Sequence, residues 1–185
     1  MQASGDNECV YLVDARDRIR SVGPGWVGFA KANSAPELTP EAVVGRSLWD
    51  FVAGLEVRHL YRILLEKVRS LRRRVAVPFR CDAPDLRRFV ELVMLPSDGR
   101  DVEFRVRILR QEPRAFVRLL DASAPRSDEL LRICSWCKRV LLPGEEPMEV
   151  EDAVARLDLF DRRELPGLTH TICPACERQL EERSE

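Results

Sequence analysis

Four of the six cysteines in this 185-residue chain fall into two pairs, Cys134-Ser-Trp-Cys137 and Cys173-Pro-Ala-Cys176, with 35 residues between them. A C-x2-C turn aims two thiolates at one ion at about 2.3 Å, and two such turns complete a tetrahedron. Pro174 suits the first turn of a helix over 174–182, because the N–H it lacks would have no partner there. The positive end of that helix favours thiolate at the second pair. The spacing therefore predicts one structural zinc per chain, held by Cys134, Cys137, Cys173 and Cys176. Iron at the same sulfurs, or a redox pair of thiols, is the alternative.

The composition bounds the setting. Thirty basic and 31 acidic residues leave a net charge of −1, so the whole chain has no general attraction for nucleic acid. The longest stretch without an acid, Lys or Arg, Leu165–Cys176, is twelve residues long and contains a His and two prolines, too short to span a bilayer. Met1 opens no charged-then-apolar leader, which with cysteines kept as thiols points to the cytoplasm. Charge and cysteine content both shift along the chain. Residues 134–185 carry 7 basic and 12 acidic residues, against 23 and 19 before them. A segment of about 50 residues rarely folds on its own core, so metal is expected to supply much of its stability.

The elements that must carry these residues follow from periodicity. Cys9–Val13 and Ile19–Val22 read as short strands around a polar turn, Trp26–Ala32 and Pro40–Val52 as short helical pieces. In a long helix over Leu55–Arg74, Val57, Leu60, Tyr61, Leu64, Val68 and Leu71 form an apolar stripe. Arg58, Arg62, Glu66, Arg69 and Arg73 fall on the other side. Strands are expected at 75–81, Phe89–Leu95, 102–108 and Ala115–Leu120. A helix-like stretch, Val150–Phe160, lies between the cysteine pairs. The fold class is α+β, an antiparallel sheet with helices on one face plus a small four-cysteine metal-binding module.

The order of elements, with Tyr11-Leu-Val-Asp14, Arg18-Ile19 and Val44-Gly45-Arg46-Ser47-Leu48-Trp49-Asp50-Phe51, resembles the PAS sensor fold over about residues 8–121. The strings Ile133-Cys-Ser-Trp-Cys-Lys-Arg-Val140 and Leu168-Thr-His-Thr-Ile-Cys-Pro-Ala-Cys176 are similar to a Cys-rich tail that follows PAS or receiver domains in bacterial signalling proteins. That tail usually has a Trp between the pairs and a Ser and Gly flanking the His. Here the middle Trp is missing and both flanks of His170 are Thr. The layout also resembles a zinc ribbon or treble clef. Cys-Pro-x-Cys is shared with rubredoxin, but Glu177 replaces the glycine that usually follows. The implied domains are a frayed N-terminus (1–8), a PAS-like sensor (9–121), a linker or helix (122–133) and the four-cysteine module (134–185).

The resemblance implies a cytosolic bacterial signal-sensing protein without enzymatic activity, working through a signalling protein partner and dimerising through its PAS part. The stretch Asp128–Ile133 is then the lever between sensor and module. Any PAS ligand is left unidentified. A transcription-linked nucleic-acid-binding zinc protein is the alternative, and the acidity of the module speaks against it. Some PAS sensors ligate haem through a His on the long helix, but the helical wheel sets His59 opposite the apolar stripe. His170 is expected to support the cysteines or the helix entry rather than to ligate. Cys9 and Cys81 read as small buried hydrophobes, and Trp26 and Trp49 as core filler. Trp136, inside the first cysteine turn, is expected to pack on Val140, Leu141 or the PAS part, with exposure to a partner as the alternative. The arginines at 58, 62, 69, 72, 73 and 74 are expected to be a solvated face or a match to the acidic tail, with nucleic-acid contact the lesser reading.

Overall fold

The computed structural model describes residues 8–33, 35–52 and 54–182. Residues 1–7 of the expected frayed segment lie outside the described residues, and Glu8 already belongs to the first strand. Two compact units divide the chain: Met1–Pro78 with Val90–Leu109 and Glu182–Glu185, and Phe79–Phe89 with Arg110–Glu181.

The fold is α+β. In chain order the first elements are β1 (Glu8–Val13), β2 (Ile19–Val22), α1 (Trp26–Ala32), α2 (Pro40–Val43) and α3 (Leu55–Leu71), followed by β3 (Val75–Arg80), β4 (Leu86–Pro96) and β5 (Val102–Pro113). The five strands form one antiparallel sheet in the order β2-β1-β5-β4-β3. β1 is central enough to bury Cys9 and Val13, and its whole length pairs with β5 from Glu8↔Arg107 to Val13↔Val102.

The expected helical piece 40–52 is broken. α2 ends at Val43, Gly45 takes φ +83, and a separate 3-10 turn covers Leu48–Asp50. Only a residue without Cβ adopts that φ cheaply, so the helix stops there. α3 has neither Gly nor Pro inside it, and it ends where Arg72 turns left-handed at φ 54. Its buried residues are Leu64, Leu65 and Val68, whereas Leu71 is 55% exposed. The stripe is thus rotated from the one periodicity predicts. Arg69, expected on the wet side, keeps its side chain only 7% exposed.

The reason is that the arginines of α3 are used inside the first unit. Arg58 donates to the carbonyls of Val52 and Trp49, both at 2.7 Å. Arg69 reaches the Asp17 carboxylate and the Asp14 carbonyl at 2.7 Å, and the Arg100 carbonyl at 3.0 Å. Arg72 holds the Gly99 and Ser97 carbonyls at 2.7 Å. Arg62 lies 4.8 Å over the Trp49 ring. Arg58 and Arg69 are drawn in to staple loops to the helix, while Arg62, Arg72, Arg73 and Arg74 remain on an exposed face.

The second unit has its own sheet. β6 (Arg126–Cys134), β7 (Val140–Leu141) and β8 (Leu165–Thr171) lie in the order β7-β6-β8, with α4 (Val150–Arg156) between β7 and β8 and α5 (Pro174–Glu182) last. Of residues 122–133, expected as linker or helix, those from Arg126 on are therefore a strand that runs to Cys134. Leu131 and Ile133 are buried while Leu130 and Arg132 are exposed, an alternation of period two. Conversely, Ala115–Leu120 is not a strand. Pro113 ends β5, the Val117 N–H bonds the Pro84 carbonyl at 2.9 Å, and Arg118–Leu120 makes a 3-10 turn. Val117 and Leu119 join Leu131, Ile133, Val150 and Leu165 in a buried cluster. The cysteine-bearing unit thus owns a hydrophobic core, drawn from more of the chain than residues 134–185.

Candidate metal centre

The two strands β6 and β8 run parallel, and their register sets Cys134 beside Thr171. Cys134 closes β6, and Cys173 follows β8 by two residues, so the parallel ladder delivers one cysteine of each pair to the same end of the sheet. At the first pair the chain turns back on itself. The Lys138 N–H donates to the Cys134 carbonyl at 3.0 Å and the Cys134 N–H to the Arg139 carbonyl at 2.8 Å, with Lys138 left-handed at φ 61. The Ser135 N–H then crosses to the Thr171 carbonyl at 2.8 Å and ties the turn to β8. At the second pair, Pro174 opens α5 as the sequence suggests, and the Glu177 N–H caps back to the Cys173 carbonyl at 3.0 Å.

The four sulfurs, Cys134, Cys137, Cys173 and Cys176, lie within 4.8 Å of one another. The Cys137 and Cys173 Sγ atoms are 3.8 Å apart. A tetrahedron with metal–sulfur bonds of about 2.3 Å has edges of about 3.8 Å, so the cluster is close enough to hold a metal ion. The Cys173 N–H donates to Cys134 Sγ at 3.4 Å, the backbone-to-sulfur bond that such turns supply. Cys134, Cys173 and Cys176 are buried and Cys137 is half-buried.

The electrostatics of the cluster call for a cation. Hydrogen bonds from the Cys137 and Cys176 thiols, against the opposing effect of burial, push the Cys134 thiol down. Donating to Cys134 pushes Cys137 up to about 12, and Cys176 rises further for the same reason together with burial. Charge on one of these sulfurs disfavours charge on the next, because like charges at this distance repel. A divalent cation at the centre would let all four cysteines serve as thiolates.

His170 stands on β8 opposite Ile133 and is exposed, outside this group of four. Cys9 is a buried hydrophobe whose thiol is pushed up to about 12 by burial, then by Glu8. Cys81 is half-buried. Trp136 is 4% exposed, and its ring sits 5.7 Å from that of Phe79.

Sequence reasoning missed what surrounds the first pair. The hairpin tip 79–89, some fifty residues upstream, belongs to this unit. Its Arg80 N–H donates to the Trp136 carbonyl at 2.8 Å. The Arg80 guanidinium, 8% exposed as a residue, bonds both Glu149 oxygens, at 2.7 and 2.9 Å, and the Asp82 carboxylate. Glu149 also takes Arg139, at 3.2 Å. Arg114 joins Asp82 and Glu151, each at 3.3 Å, and Arg87 joins Glu151 at 2.8 Å. Burial would raise the Glu149 carboxyl, but Arg80, Arg139 and Arg87 together hold the group below its ordinary 4.5. Acids of the tail, Glu149 and Glu151, find their match in Arg80, Arg87 and Arg114. No local pattern marks these residues, since each pairs across a long sequence gap.

The first unit contains a cavity of about 210 Å³. Sheet residues Cys9, Tyr11 and Val106 and helical residues Trp26, Phe29 and Tyr61 are among those lining it. Tyr11 stacks on Phe104 at 4.8 Å and meets Trp26 edge-on at 5.7 Å. Trp26 lines this space and donates to the Leu38 carbonyl at 2.6 Å, while Trp49 donates to Asp17 at 2.9 Å. His59 is exposed and does not line the cavity.

No family profile and no curated protein sequence matches the chain. Among solved structures, a domain of an HTR-like protein from Haloarcula marismortui is similar with a TM-score of 0.37 and 12% identity, covering 56% of this chain and 98% of that one. Among the described residues, no helix is long and apolar enough to cross a membrane.

Proposed function

We propose that the chain is a regulatory signalling protein in which a PAS-type sensor sheet is joined to a structural zinc site of four cysteines. The observation that carries this reading is the gathering of four thiols within 4.8 Å at the meeting of two strand ends and a helix start. A turn-borne pair facing a helix-borne pair is the treble-clef arrangement, and cysteines alone suit zinc over harder cations. The sensor part of the reading is supported by the strand order β2-β1-β5-β4-β3 and by an apolar, aromatic-walled cavity of a size for a small molecule.

Output is read as contact with a protein partner, and not as catalysis. Phe116 and Phe160, 60% and 64% exposed, border an apolar groove of about 310 Å³ in the second unit, and exposed aromatic surface of this kind favours contact. A reducing compartment, the cytoplasm, suits thiols reserved for metal. Self-association through the sensor part belongs to the same proposal.

Elemental analysis of the purified chain, with an absorption spectrum, tests it. One zinc per chain in a colourless solution is expected. No metal with four titratable thiols would overturn the proposal, and a visible charge-transfer band would replace zinc by iron.

A further inference from the structure

We propose that Arg80 is a positioning residue for the cysteine site: from a hairpin remote in sequence it holds the first cysteine turn in the shape that retains metal. This rests on the reading of the four cysteines as a metal site. Two routes lead from Arg80 to that turn. Its backbone N–H donates to the carbonyl of Trp136, which lies between Cys134 and Cys137. Its side chain grips Glu149, which in turn holds Arg139, and the Arg139 carbonyl accepts the Cys134 N–H at 2.8 Å. The Phe79 ring against Trp136 completes the seat.

The turn's own hydroxyl gives it no support. The Ser135 hydroxyl is buried with no hydrogen-bond partner, so that side chain does not anchor it. The Ser135–Thr171 bond, the Lys138 N–H on the Cys134 carbonyl and the Cys173 N–H on Cys134 Sγ hold the turn from within and from β8, and the contacts to Trp136 and Arg139 add the seat from the hairpin side. Asp82, with a side chain 1% exposed, keeps the Arg80 guanidinium charged and oriented, shared with Arg114. A planar fork that serves two carboxylates at once is a task for Arg, and Lys cannot repeat it. Residues that orient metal ligands without touching the metal alter affinity by roughly 10–100-fold when replaced.

The test measures zinc transfer from the intact chain to a colorimetric chelator, in parallel with the cobalt-substituted absorption spectrum. Arg80→Ala and Glu149→Gln are compared with Arg126→Ala. Arg126, half-buried in this unit, also bonds backbone carbonyls, those of Leu119, Asp121 and Pro166, but none of these carbonyls belongs to the cysteine turn. Release accelerated roughly tenfold or more in Arg80→Ala and Glu149→Gln, with a shifted cobalt spectrum, is expected. Arg126→Ala should destabilise thermally yet leave both readouts within about twofold of the parent, and Arg80→Lys should rescue only in part. Should Arg80→Ala fail to fold, Glu149→Gln decides alone. Equal release from Glu149→Gln and Arg126→Ala at matched thermal stability overturns the positioning role while leaving the metal site standing. A parent chain without metal overturns both.

Discussion

Arginine does different work in the two units. In the first, Arg58 and Arg72 spend their guanidinium groups on backbone carbonyls, and Arg69 adds one carboxylate to two carbonyls. In the second, Arg80, Arg87 and Arg114 face Asp82, Glu149 and Glu151 in a half-buried network. A carbonyl cannot be protonated at ordinary pH, whereas a carboxylate can. Arg58 and Arg72 thus hold their loops by bonds indifferent to acid, whereas Arg80, Arg87 and Arg114 hold theirs by bonds that acid can cut. The same residue type yields a robust loop clamp in one place and a titratable joint in the other.

The largest expected difference comes from the cysteines. Cys173→Ser should reduce bound zinc from one per chain to none and destabilise the second unit by on the order of 4 kcal/mol or more. Amide exchange would show protection lost at Ile133 and Val140 and kept at Val13 and Leu64. Loss of protection in both units alike would break the comparison.

Next in size is Asp82→Ala, which leaves two guanidinium groups short of a buried partner and should cost roughly 3–5 kcal/mol in denaturant unfolding. The matching cut in the first unit, Arg58→Met, should cost only about 1–2 kcal/mol, because carbonyls near the surface regain water.

Acid sharpens the contrast further. The Glu149 and Glu151 carboxyls are held below their ordinary 4.5, Glu149 by the Arg80 guanidinium and Glu151 by its own backbone hydrogen bond and by Arg87, in each case against burial. A lowered folded-state pKa stabilises above the unfolded value, and that contribution is lost as pH falls below about 4.5. Thermal melts followed by Trp136 emission should therefore drop below that pH, and Glu149→Gln should flatten the drop. An identical acid limb in the variant would remove Glu149 from the account. At the bottom of the scale, His59→Ala on the exposed face of α3 should change stability by no more than about 0.5 kcal/mol and leave the spectrum untouched.

What could be read from the residues follows the reach of each signal. The cysteine pairs declare themselves because a C-x2-C turn is a local chemical unit, and the structure brings all four sulfurs together. α3 and the strands after it are legible because burial imposes a period of 3.6 or 2 on contiguous residues. Leu65 displaces Leu71 from the stripe because the helix axis is set by what it packs against, which no wheel contains. β6 hides for another reason. Asp128-Glu-Leu-Leu-Arg132 reads as a good helix former, and its partner β8 lies more than thirty residues on, joined by a parallel ladder that has no turn to announce it. Arg80, Asp82 and Glu149 are invisible for the same cause: charged residues mark a site only once folding has placed them side by side.

The interleaving of the chain has a consequence for the order of assembly. Arg80 is made long before the turn it seats and before its partner Glu149, and Cys173 and Cys176 come later still. On a ribosome the hairpin tip must wait, its arginine without its glutamate, while the rest of β3 and β4 already has neighbours with which to pair. Contacts so far apart in sequence form slowly, since loop closure must precede any reward. An ion held by all four cysteines would then be captured only near the end of synthesis, once Cys173 and Cys176 have arrived.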